Sequence, residues 1–180
     1  MDKDFLIIAV TLPEFFDEEA KIINRILSND LAHFVHIRKP EATAMEINNL
    51  IKNINPLYHN RLKLHDHFEL IDKYELGGIH LNSRNNLVHS NAKSVSKSIH
   101  SIEELNDRDN FSYVFLSPVF DSISKKGYKA AIDLNNLPGD MHQKKVIALG
   151  GVTPAKFELL KDSGFSGAAL SGYFFLPHQF

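Results

Sequence analysis

Eight short apolar runs recur along the chain, at 5–10 (FLIIAV), 33–37 (HFVHI), 61–65 (RLKLH), 78–81 (GIHL), 94–99 (SVSKSI), 112–116 (SYVFL), 145–149 (KVIAL) and 167–170 (GAAL). Each has the length and the content of branched and aromatic residues expected of a strand. Segments with helical spacing lie between them. In 17–28 (DEEAKIINRILS), Ile22, Ile23, Ile26 and Leu27 share one face, and three acidic residues open the segment where a helix carries partial positive charge. In 43–54 (TAMEINNLIKNI), Thr43 and Glu46 are spaced as a capping box. The segment 154–165 (PAKFELLKDSGF) opens on a proline and stops near Gly164. Strands alternating with helices require parallel pairing and right-handed crossovers.

Eight such units predict an α/β fold, a single-domain (β/α)8 TIM barrel spanning residues 1–180. A doubly wound open sheet is the competing architecture. The chain's 180 residues fall below the usual size of about 200 or more for a barrel, so the helices are expected to be shortened. Residues 82–92 (NSRNNLVHSNA) read as a loop. No linker, repeat or low-complexity tract divides the sequence.

Composition narrows the function classes. Apolar residues at 43% and charged residues at 23% suit a folded globular domain. A net charge of -2 gives no reason to expect a nucleic-acid or membrane-surface partner, so any anion site must be local. The chain has no cysteine, which removes disulfides and thiolate chemistry together. The start, MDKDFLIIAVTLPEFF, does not read as a signal peptide, and a cytoplasmic protein is expected.

In a barrel, the loops after the strands share one rim, and the active site sits there. After the sixth strand comes SPVFDSISKK, where the Ser122 and Ser124 hydroxyls and the Lys125 ammonium can all meet one phosphate. Gly150-Gly151 follow the seventh strand and Leu170-Ser171-Gly172 the eighth, the loops that commonly bind phosphate in barrels. Across the rim the second strand ends His36-Ile37-Arg38-Lys39-Pro40, with His36 and Arg38 on one face. Two cations at a strand end suit a diphosphate. The third strand ends His65-Asp66, whose carboxylate could hold a magnesium ion.

These motifs resemble the thiamine phosphate synthases and the related thiazole tautomerases, over about Phe5 to Phe174. The family's Gln-x-Arg-Glu-Lys corresponds to His36-Ile37-Arg38-Lys39-Pro40, its Asn-Asp pair to His65-Asp66, and its Gly-x-His to Gly78-Ile79-His80. Its Ser-x-His corresponds to Ser98-Ile99-His100, followed by Glu104. Its Gly-Pro-x-x-x-Thr-x-Thr-Lys loop becomes the stretch from Ser117-Pro118 through Ser122 and Ser124 to Lys125. The Gly-Gly pair falls on Gly150-Gly151.

The resemblance implies a transferase joining a pyrimidine methyl diphosphate to a hydroxyethylthiazole phosphate, with Arg38, Lys39 and Lys125 stabilising the departing diphosphate. It also implies Mg2+ on Asp66, and substrate or product held by His36, His65, Ser98, Ser122, Ser124, Gly150, Gly151, Leu170 and Ser171. Three positions depart from the pattern. The motif lysine is Pro40, and the tautomerase histidine is Pro118. The second magnesium-ligating aspartate is Asn85, beside Arg84, which is expected to neutralise diphosphate directly in part.

Two other readings compete. His36, His65, His80 and His100, near the ends of four successive strands, could ligate the metal of a hydrolase. Loss of the diphosphate machinery would leave a non-catalytic phosphate-binding relative. Tyr113 and Phe115 are expected on the barrel exterior under helices. The tail, with Phe174, Phe175 and Phe180, is read as covering the barrel or a partner subunit, so a homodimer is a candidate assembly.

Overall fold

The computed structural model describes residues 5–107, 110–121, 130–141 and 143–175. Eight strands run in chain order: β1 Leu6–Val10, β2 Phe34–Ile37, β3 Leu62–Leu64, β4 Gly78–Leu81, β5 Val95–Ile99, β6 Tyr113–Leu116, β7 Val146–Leu149 and β8 Gly167–Ser171. Each pairs in parallel with its neighbour, and β8 returns to β1 with Leu6 opposite Gly167 and Val10 opposite Ser171. That last pairing closes the barrel and excludes the open sheet. Because all strands are parallel, their C-terminal ends share one rim.

The helices are short, as the chain length requires. Among the described residues there are three α-helices: α1 Glu19–Ser28, α2 Ala44–Lys52 and α3 Phe157–Asp162. Short 3-10 turns and loops serve most of the other crossovers, and residues 82–92 contain no helix. The Thr43 hydroxyl accepts the Glu46 amide while the Glu46 carboxylate accepts the Thr43 amide, so α2 opens on the expected capping box. No described helix is long and apolar enough to cross a membrane.

Side chains divide into two layers. Outward ones, such as Val35, Ile37, Leu62, Leu64, Val114 and Leu116, join the main core with Ile23, Ile26, Leu27, Ile47 and Ile51 of the helices. Inward, Ile8, Val10, Tyr113, Phe115, Ile147 and Ala169 form a separate apolar cluster. Tyr113 and Phe115 therefore lie inside the barrel, which corrects the expectation of an exterior position. All four residues of β6 are buried, so the strand shows no polar alternation from which its facing could be read. Phe174 and Phe175 are buried in the chain's own core, Phe175 edge-on to Phe16, and lend no support to a partner subunit. Phe180 lies outside the described residues.

Candidate active site at the C-terminal rim

The half of the barrel interior facing β2 to β5 is polar and buried. Nδ1 of His36 stands 2.9 Å from Nε2 of His65, and Nε2 of His36 stands 2.7 Å from the Tyr113 hydroxyl. The His80 ring is held between two hydroxyls, Ser96 at 2.9 Å and Ser98 at 2.8 Å. Burial, with neighbouring positive charge adding to it, keeps all three imidazoles neutral, and His80 is pushed down to about 3. Deeper in the barrel, the Lys63 ammonium bonds the Ser94 hydroxyl at 2.7 Å and lies 4.2 Å from the Tyr113 ring centroid. Burial lowers this lysine to about 7.

Two guanidinium groups stand at this rim, Arg38 after β2 and Arg84 after β4, and the positive charge of both helps to hold the His65 ring neutral. The buried Thr11 hydroxyl accepts the Arg38 amide at 2.9 Å, and that side chain fixes the Arg38 backbone from the end of β1. Arg84 donates Nε and Nη2 to the Asp66 carboxylate at 3.2–3.3 Å. The Asn85 amide nitrogen donates to the same carboxylate at 2.7 Å. Asn82 braces the turn, donating to the His65 carbonyl and accepting the Arg84 amide.

On the far side of the rim, the loops after β6 and β7 pack backbone to backbone. The Val119 amide donates to the Leu149 carbonyl at 2.9 Å and the Phe120 amide to the Gly150 carbonyl at 3.1 Å. A Cβ on Gly151, whose φ is +58°, would stand 2.2 Å from the Asp121 carbonyl oxygen, so only glycine fits. Lys156 donates to the Gly151 carbonyl at 2.8 Å and stacks over Phe120. Ser171 is exposed at the end of β8.

The family model described as thiamine monophosphate synthase matches residues 7–173. The chain belongs to that family. Its relatives include the crystal structure of thiamine phosphate pyrophosphorylase from Bacteroides thetaiotaomicron, 36% identical, with a TM-score of 0.77, over 93% of this chain and 83% of that one. A thiamine-phosphate synthase of the same organism is 24% identical over 77% of this chain and 75% of its own length. The thiamine phosphate pyrophosphorylase of Pyrococcus furiosus shares the fold, with a TM-score of 0.76, at 14% identity over 98% of this chain and 90% of that one.

Within this thiamine monophosphate synthase barrel, the site residues expected from sequence fall into three groups. Arg38, His36, His65, Asp66, Asn85 and Ser98 stand together on the β2 to β5 side, while Gly150, Gly151 and Ser171 sit across the same rim. Ser122, Ser124 and Lys125 lie outside the described residues. Two others point elsewhere. The Lys39 ammonium is fully buried and bonds both Glu19 carboxylate oxygens, at 2.7 and 2.8 Å, and the Glu14 carbonyl. The Leu170 side chain belongs to the outer core, which leaves only its backbone for the rim.

A magnesium ion takes an octahedral set of oxygen ligands. Asp66 offers one carboxylate, whose oxygens already accept from Arg84 and Asn85, and the Asn85 group turned toward it is a donor. Among the described residues, the only three imidazoles or carboxylates close enough to share an ion are His36, His65 and His80. The residues around Asp66 therefore do not fit Mg2+ in this arrangement. The histidine trio is also a poor cage. His65 and His80 stack with centroids 4.2 Å apart and planes 22° from parallel, and lone pairs lying in stacked ring planes do not meet at one ion. His100 is apart from them, exposed and bonded to the Ser117 carbonyl.

Sequence reasoning missed Thr11, Lys63 and the interior placement of Tyr113. The signal for Lys63 was present: in RLKLH, Lys63 and His65 share a parity, so one inward side chain implies the other.

Proposed function

We propose that this chain is a thiamine phosphate synthase, a transferase joining a pyrimidine methyl diphosphate to a hydroxyethylthiazole phosphate to give thiamine phosphate and diphosphate. The carbon–oxygen bond between the pyrimidine methylene and the diphosphate breaks, and its electron pair leaves with the diphosphate oxygen. The thiazole nitrogen lone pair then forms the new carbon–nitrogen bond, so no proton or redox partner is needed. The demand on the protein is positive charge where the leaving oxygens gather negative charge. Arg38, Arg84 and Lys125 are the proposed cations that supply it.

The observation that carries the reading is the Arg84 guanidinium fixed on Asp66 after β3, on the same rim as Arg38 after β2 and opposite the glycine loop of Gly150 and Gly151. That rim seats two phosphorylated rings side by side. Neutral histidines beneath the diphosphate leave Asp66 as the local negative charge, and Arg84 cancels it. Ser98, Gly150, Gly151, Ser171, Ser122 and Ser124 are the proposed holders of the thiazole phosphate and product. The cytoplasm is the proposed compartment, because phosphates hold both substrates inside a cell.

The test is mass spectrometry of purified protein with both substrates, in Mg2+ and in EDTA. Thiamine phosphate formed in proportion to protein is expected in at least one condition. Binding of thiamine phosphate without product in either condition would instead favour a non-catalytic relative.

A further inference from the structure

The diphosphate side of the rim is built differently from a metal-bridged site. Two carboxylates around a divalent ion sum to zero charge and accept an anion only once the ion is present. Here Asp66, Asn85 and Arg84 already sum to zero without one. The departure from aspartate at Asn85 and the guanidinium one residue earlier sit on the same turn, held by the Asn82 side chain that accepts both the Arg84 and the Asn85 amides. The Asp66 carboxylate accepts only, so the three donated bonds from Nε and Nη2 of Arg84 and the one from Asn85 fix it as an anchor. Among the described residues this pairing leaves Nη1 of Arg84 for a ligand, and the side chain is 38% exposed.

We propose that Arg84, clamped on Asp66, takes the place of the divalent cation at the diphosphate subsite, so that this chain binds diphosphate without a metal ion. A guanidinium suits this task because, with its Nε and Nη2 edge held by Asp66, the N–H groups of Nη1 still donate charge-assisted hydrogen bonds to phosphate oxygens with no ion to dehydrate. Arg38, at the end of the adjoining strand β2 with its amide held by the Thr11 hydroxyl, is the second cation of the pair. Asp66 is here a positioning residue: it acts on the ligand through Arg84. This inference rests on the diphosphate chemistry proposed above.

The experiment is calorimetric titration of the full chain with inorganic diphosphate, in EDTA and in Mg2+. Because diphosphate itself binds Mg2+, the protein's own ion affinity is read separately from the electron paramagnetic signal of free Mn2+. Wild type is expected to bind diphosphate in EDTA, with an affinity within about threefold of that in Mg2+, and to leave free Mn2+ unchanged. R84Q is expected to bind at least about tenfold more weakly in EDTA, the scale of one lost charge-assisted pair. The double variant R84Q/N85D, which restores two carboxylates, is expected to sequester Mn2+ and to bind diphosphate only with a divalent ion.

Wild-type binding that requires Mg2+, or R84Q binding in EDTA as tightly as wild type, would overturn the proposal. So would a double variant that gains no ion. The two readings fail separately. Product formation with strict Mg2+ dependence would sink this inference and leave the synthase, whereas metal-free diphosphate binding without product would do the reverse.

Discussion

His36 and His65 share one hydrogen bond, 2.9 Å between Nδ1 and Nε2, with both rings buried and neutral. One ring donates and the other accepts, so their tautomers are coupled. The Tyr113 hydroxyl at 2.7 Å from His36 Nε2 carries the coupling from β2 across to β6. Tyr113→Phe leaves that nitrogen buried and unpaired, at a cost of about 1–3 kcal/mol. Urea unfolding is expected to show this loss, and the further change His36→Leu to recover part of it.

Lys39 reads from sequence as a diphosphate cation, yet its ammonium is spent on Glu19. Burial pulls both groups toward their neutral forms, and the pairing opposes that. Removing either partner strands a buried charge, so Glu19→Ala or Lys39→Met is expected to cost about 3–5 kcal/mol in denaturation experiments. The KM for the pyrimidine diphosphate, measured on the folded fraction of Lys39→Met, is expected to stay at the wild-type value. Arg38→Ala, by contrast, is expected to raise KM or lower kcat with little loss of stability.

Lys63 gives stability a pH dependence with a definite sign. Its folded value is lowered to about 7 from the ordinary lysine range near 10.5. Between these limits the unfolded chain binds the extra proton, so stability rises with pH from about 7 toward 10 and falls as pH is lowered through that window. Lys63→Met removes the dependence. Its stabilisation over wild type is expected to be fully present at and below pH 7, on the order of 4 kcal/mol, and to shrink by pH 10, as read from guanidinium midpoints.

His80 acts in a lower window. Its folded value of about 3 lies below the unfolded histidine value near 6.5, so its contribution is complete above pH 6.5 and is lost as pH falls toward 3. His80→Gln is expected to flatten the stability profile between pH 6.5 and 4.5, where most carboxylates are still ionised.

The Gly151 position tests the thiazole-phosphate side. Gly151→Ala places a methyl group 2.2 Å from the Asp121 carbonyl at a φ of +58° and must displace one loop. Weaker thiamine phosphate binding is expected in calorimetry, with diphosphate affinity unchanged because Arg38 and Arg84 are on the other side of the rim.

All eight strands were legible, because apolar runs at barrel spacing admit few architectures. The capping box of Thr43 and Glu46 marked the start of α2 to within a residue, since it is local chemistry. The facing of β6 was not legible. YVFL is buried on both sides and carries no alternation, so Tyr113 and Phe115 could not be assigned to the interior. The Lys39 and Glu19 pair was hidden for another reason: its members are 20 residues apart in different elements, and no spacing rule links them. Arg84 was suspected from its neighbour Asn85, but its clasp on Asp66, 18 residues away, needed the fold.

The central claim is that one rim holds both anions. Crystallography of the protein soaked with thiamine phosphate and diphosphate measures it directly. Diphosphate density against Arg38 and Arg84, with the thiamine phosphate group against Gly151 and Ser171, is the predicted result. Density for either anion at the opposite end of the barrel, or both phosphates on one side of the rim, would contradict it.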